Sequence, residues 1–144
     1  MIRQLNFLFI ILVVIVFAYL LAPDKEYTNR IWVQKGISVT APYRAAVEEY
    51  WRKKQVLPGT GDLELEKILV RADIEKTAVD SITVGKNGPG SITVHYSVKN
   101  HKSVPEELNN TEIILVPVPT VDKLVWACKG TMPDSMIPQV CKKM

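Results

Sequence analysis

"WVQKGISVTAPYRAAVEEYW", Trp32 to Trp51, constrains how the rest of the chain is arranged. Trp32, Gly36, Val39, Tyr43, Ala46 and Tyr50 recur at alternating steps of four and three, so they share one side of an α-helix, with Val47 and Trp51 beside them. Gln34, Lys35, Arg44, Glu48 and Glu49 fall on the polar side. A helix with one apolar stripe has to lay it on something. Pro42 takes away one backbone donor and crowds the preceding turn, so a kink or a weakened bond to Ser38 is expected there.

Upstream lies "LNFLFIILVVIVFAYLLA", Leu5 to Ala22, with no charge and one amide, Asn6. As a helix rising ~1.5 Å per residue it covers ~27 Å, enough for a bilayer core. A membrane anchor and a signal sequence both fit; Leu20 and Pro23 make a poor cleavage site, so the anchor is the reading adopted. Together the two stretches predict one rod of about 50 residues, bent near Pro23 and Pro42. Arg3 precedes the span, and a weak positive-inside signal leaves the N-terminus cytoplasmic and the rest exported. Setting Arg3 aside leaves 17 basic against 15 acidic residues, a near-neutral balance that argues against nucleic acid as the main partner. The small basic clusters Arg52–Lys54 and Lys142–Lys143 read as solvated surface, and DNA stays a weakly supported partner.

Downstream, "LPGTG" at Leu57–Gly61 ends the helical run by turn chemistry. Leu63, Leu65, Ile68, Leu69 and Ala72 have the spacing of a short helix. The period then changes to two. "DSITVGKNGPGSITVHYSV" reads as a β-hairpin, with Ile82 and Val84 on one face of its first strand and Ile92, Val94, Tyr96 and Val98 on one face of its second. "TEIILVPVP" is an apolar strand that Pro117 and Pro119 should halt, and "DKLVWAC" turns Leu124, Trp126 and Cys128 to one side. Four consecutive strands predict an antiparallel sheet, and the helix at 31–52 is the element long enough to cover it. Val39, Tyr43, Val47, Tyr50 and Trp126 are the residues expected to pack helix against sheet. The fold class is α+β. The boundaries that follow are 1–22 for the apolar half-helix, 23–52 for the amphipathic half and 53–144 for the head.

The only two cysteines, Cys128 and Cys141, bracket the closing loop. Their isolation reads as a disulfide staple made in an oxidising compartment. Metal ligation is the competing reading and would need further ligands nearby, whereas the two histidines, His95 and His101, lie far back in sequence. Closing such a loop stabilises the chain end by ~3 kcal/mol in the chain-entropy model.

The whole pattern resembles a type IV pilin with a short globular domain. The resemblance rests on the apolar half-helix, Pro23 at the family's first helix bend, "EYTNR", "AAVEEYW", the "SITV" hairpin, "IILVPVP" and the ending "WACKG…PQVC". It implies the pilin fold and a subunit held in the inner membrane with its C-terminal domain in the periplasm, then extracted into an extracellular filament for adhesion, motility or DNA uptake. It also implies contacts with other pilin subunits, the inner-membrane pilus assembly machinery and membrane lipid. Asn6, Phe7, Leu8, Ile11, Val14 and Pro23 are then the assembly residues, and the loop 128–141 faces outward.

The family's leader ends in glycine, and its fifth mature residue is glutamate. No glycine precedes the apolar run here, and aligning Pro23 puts Asn6 at the glutamate position. That departure points to a minor or atypical subunit, with a non-polymerising, membrane-anchored accessory that binds other pilins as the alternative.

Catalytic chemistry has little to stand on. Glu48 and Glu49 are adjacent on a helix and point ~100° apart, a poor acid/base arrangement, so both read as a solvated face. His95 reads as an exposed strand residue rather than a ligand, and Trp126 as core or as cover for the disulfide. "NNT" at Asn109–Thr111 matches a glycosylation sequon and carries little weight. The expectation is no enzyme, no cofactor, no metal and no small-molecule substrate.

Overall fold

The computed structural model describes residues 2–22, 24–99 and 102–141, with side chains from Phe7 onward. Asn6, Pro23, His101 and Lys142–Lys143 therefore lie outside the described side chains. The helical spine runs in three pieces: α1 (Ile2–Leu20), α2 (Lys25–Ser38) and α3 (Ala41–Lys54). A short α4 (Leu63–Ile68) follows, then β1 (Val79–Val84), β2 (Ile92–Tyr96), β3 (Glu112–Pro119) and β4 (Leu124–Gly130). The sheet order is β1-β2-β3-β4, every neighbour antiparallel. This is an α+β arrangement of a long N-terminal helical spine and a four-stranded antiparallel sheet.

The expected single rod is divided where the sequence weakens it. Between α1 and α2 the chain turns at Leu21–Ala22, and the Asp24 side chain accepts from the Glu26 amide to start α2. At the second break the amide of Thr40 bonds to Ile37 rather than one residue further back, which tightens the turn. Pro42 is then the second residue of α3, where its missing donor costs nothing.

The buried stripe differs from the expected one by a small rotation. Asn29, Val33, Gly36, Thr40, Tyr43 and Val47 are the buried residues at four-three spacing, while Trp32, Val39 and Tyr50 lie at the edge of the core. Hydropathy alone misplaces the stripe because two of its members, Asn29 and Thr40, are polar. Thr40 satisfies its hydroxyl locally by donating to the Ile37 carbonyl, 2.6 Å away.

Against this stripe the sheet presents Ile92, Val94, Tyr96, Ile113, Leu115, Leu124 and Cys128, all buried. Tyr96 is fully buried, and its hydroxyl donates to the Val33 carbonyl at 2.8 Å. Burying a side chain of this size contributes roughly 2–3 kcal/mol, and the hydrogen bond removes the penalty of leaving a phenol unpaired.

The prolines of β3 correct an expectation: the strand continues through Pro117 to Pro119, opposite Trp126 and Leu124. Thr111 accepts from Tyr96 on the β2 side and Glu112 accepts from Thr131 on the β4 side. Backbone groups alternate sides along a strand, so Pro117 and Pro119 turn toward β2, which has already ended at Ile92, opposite Leu115. No ladder bond is lost. Gly90 fits beside the Pro117 ring, where a Cβ would come within 2.9 Å, and its φ of +68° also favours glycine.

The short helix is shorter than its apolar spacing suggests. Leu65 is buried but Leu63 is exposed, and from Leu69 the backbone is extended. Asp62 caps α4 by accepting from the amides of Glu64 and Leu65.

Candidate functional site

The surface features that set this molecule apart come from three places. The first is α1. Every large apolar side chain described from Phe7 to Leu21 is between 39% and 86% exposed, including Phe7, Leu8, Ile11 and Val14. From Phe7 on it carries no charge, and a helical stretch apolar on all sides is stable only in lipid or among similar helices. It is long and apolar enough to cross a membrane.

The second is the closing loop. Cys128 and Cys141 form a disulfide with Cα atoms 4.6 Å apart. The loop between them is tied to α2: Arg30 Nε donates to the Ser135 carbonyl at 2.5 Å, and Asn29 Nδ2 to Met136 Sδ at 3.8 Å. Met132 and Ile137, both in this loop, are buried. Sequence reading located the staple but missed its anchor, because Asn29 and Arg30 precede the stripe that hydropathy marks. The α2 entry is also held by an ion pair between Lys25 and Glu107, which lowers the Glu107 carboxyl from its usual range through the hydrogen bond from Lys25.

The third is α3 and what flanks it. Trp126 donates its indole N–H to Glu48 Oε1 at 2.7 Å, so Glu48, expected to be solvated only, bridges helix to sheet. Tyr43 and Val47 lie in the core, and Val39 packs at its margin. Tyr50 points to the other flank and donates to Asp62 Oδ2 at 2.8 Å; that bond lowers the Asp62 pKa and raises that of Tyr50. Next to it the Lys54–Glu64 pair, 2.8 Å, raises the Lys54 pKa. Between α3 and the start of β4 opens a cleft of about 320 Å3, lined by Ala45, Glu48, Trp51, Arg52, Asp122 and Leu124 among others.

His95 is half-buried rather than exposed, its Nδ1 3.6 Å from Glu112, which Lys86 also contacts at 2.9 Å. Cross-strand pairing of β2 with β3 puts His95 opposite Glu112, a register that sequence alone leaves open. Among the described residues, no cluster of three His, Cys, Asp or Glu side chains is placed to hold a metal. What the surface offers is attachment: an apolar helix, a pinned loop and a cleft.

The pilin family profile, described as a bacterial filament pilin, matches residues 32–142. The chain belongs to the pilin family. The matched span begins inside α2 and takes in all four strands and the disulfide-closed loop. As a pilin-like subunit it belongs to a family of structural filament proteins rather than of enzymes, and association with other pilin subunits follows from that membership. No curated protein matches the chain. In a pilin the exposed α1 is a candidate membrane anchor.

Proposed function

We propose that this pilin is of the type IV kind, held in the inner membrane by its first 22 residues with the head in the periplasm, and assembled into a surface filament as a minor or atypical component. The observation that carries the reading is the apolar, solvent-exposed helix from Phe7 to Leu21 joined to a folded head. Lipid satisfies that surface before assembly, and a bundle of like helices satisfies it afterwards. Phe7, Leu8, Ile11 and Val14 are the contacts proposed for the bundle, with Asn6 and Pro23 acting at its start and its bend. The assembly machinery is the proposed partner in the membrane, and adhesion, motility or DNA uptake the proposed use.

Asn6 supports a second reading, a membrane-anchored accessory that binds pilins without polymerising. Sheared surface filaments analysed by mass spectrometry separate the two. The chain is expected in the filament fraction beside a more abundant pilin; retention wholly in the inner membrane points to the accessory.

A further inference from the structure

Between α4 and β1 the chain runs from Leu69 to Ile74 without helix, strand, turn or bend, a span of roughly 20 Å at the rise of a strand. Leu69 is extended (φ −75°, ψ 119°), and its amide closes α4 on Leu65. Past it, the backbone of Val70–Asp73 makes no hydrogen bond among the described residues. Leu69, Ala72 and Ile74 pack half-buried against the core, whereas Val70 is 69% exposed and the Arg71 side chain 83% exposed. Arg71 is only loosely paired with Glu66, 3.9 Å away, and a surface pair of that kind holds little.

An endoprotease reads that combination. It takes its substrate as an added strand, through free alternating N–H and C=O groups, and seats one side chain in a specificity pocket; for a guanidinium that pocket carries a carboxylate. The backbone selects Arg71 among the basic residues. Every other described lysine or arginine lies in a helix, in a turn or bend, or, for Lys129, in the β3–β4 ladder opposite Ile114. Lys86, in the hairpin turn, is also held to Glu112, and Lys123 closes a turn through the bond from the Thr120 amide to its carbonyl.

We infer that Leu69–Ile74 is a recognition site for an endoprotease that accepts a basic side chain, and that the bond cut is Arg71–Ala72. Hydrolysis adds one water across that peptide bond, leaving a carboxylate on Arg71 and an amino group on Ala72. Drawing Val70–Asp73 into a protease cleft breaks no backbone hydrogen bond among the described residues and lifts only half-buried side chains, so local opening is cheap. The cut divides the chain but not the fold. The spine and α4 lie on one side of it, the sheet and the disulfide-closed loop on the other. Tyr96 to Val33, Trp126 to Glu48 and Arg30 to Ser135 join the two pieces. The sheet is then held to the spine by packing and hydrogen bonds alone. This inference goes beyond the filament reading and does not depend on it.

The test treats the full chain in detergent micelles with trypsin, an enzyme with such a pocket, at a dose low enough for single cuts, and reads the products by intact-mass spectrometry. Between Asp24 and Cys141 the first cut should fall after Arg71. The two pieces should elute together in size exclusion and separate once denatured. Arg71→Gln should slow that first cut by roughly tenfold or more. Adding Val70→Arg to that variant should restore cleavage one bond earlier, a rescue that depends on the free backbone rather than on one side chain. Ala72→Pro should also block the cut, and the Ala72 amide makes no bond that a proline would remove. A first cut after Lys67, Lys76 or any other basic residue in that range overturns the site, as does an Arg71→Gln chain cut as fast as its parent or a parent that resists trypsin until it is denatured. Pieces that separate without denaturant overturn the claim that the nicked head stays whole.

Discussion

Tyr96 lies against Gly36 so closely that a Cβ on that glycine would sit 2.3 Å from the phenol oxygen. The missing side chain lets α2 approach β2 and lets Tyr96 reach past it to the Val33 carbonyl. Gly36→Ala is therefore expected to destabilise the head by ~1–3 kcal/mol through overpacking, although alanine favours a helix interior by ~1 kcal/mol. Urea unfolding followed by tryptophan fluorescence measures it. The suitable fragment begins at Asp24, which retains the α2 cap and Lys25; a start near Thr28 discards both. A Gly36→Ala head as stable as the parent would mean that Tyr96 is not held in this place.

Burial raises the Tyr96 phenol well above its ordinary pKa. In the unfolded chain it ionises near pH 10, while in the folded head it stays protonated. The folded state thus binds more protons above that point, and stability is full below pH ~10 and falls as pH rises past it. Tyr96→Phe should cost about 1 kcal/mol at pH 7 from the lost hydrogen bond, yet show a shallower decline between pH 10 and 11. Parallel declines for both proteins would remove Tyr96 as the source.

Much of the architecture was legible because period carries it. The switch from a four-three stripe to alternation at Ile82–Val98 marks where helix gives way to sheet, and Leu124-Trp126-Cys128 keeps its expected side. Where reading failed, a polar residue or a proline had a use that only the third dimension supplies. Asn29 and Thr40 belong to the buried stripe but score as surface, and the β3 prolines are harmless only because β2 is short. Arg30 to Ser135 and Trp126 to Glu48 join residues 105 and 78 positions apart, beyond any local spacing rule.

Cutting the disulfide should release more than the chain end. Cys128→Ser with Cys141→Ser is expected to cost ~3 kcal/mol, and the loop should leave α2 before the sheet melts, since its ties there are one hydrogen bond from Arg30 and a weak one from Asn29. Hydrogen exchange is the measurement: amides at 132–141 should lose protection while Val94 and Ile113 keep theirs. Thiol labelling of unreduced, denatured parent protein should modify neither cysteine, and labelling of both would contradict the bridge.

The sharpest consequence concerns residue 6. In the pilins this chain resembles, a glutamate at the matching position implies a charge that must find a partner in an apolar bundle, at a cost of several kcal/mol when it does not. Asn6 carries no such penalty. A neutral amide is tolerable in lipid and gains only ~1 kcal/mol from a hydrogen bond across helices, so the membrane-resident form is not pressed to dock. The chain should then enter filaments sparsely, beside a pilin with the usual residue, and Asn6→Glu should raise its share. The ratio of this chain to the major pilin in sheared fibres, by mass spectrometry for both variants, reads the effect. Because the substitution lies in α1, outside the head, a change in that ratio with equal amounts of both variants in the membrane isolates assembly from folding and accumulation. Unmodified protein as the sole, abundant subunit of a filament would show that the glutamate's role is dispensable here.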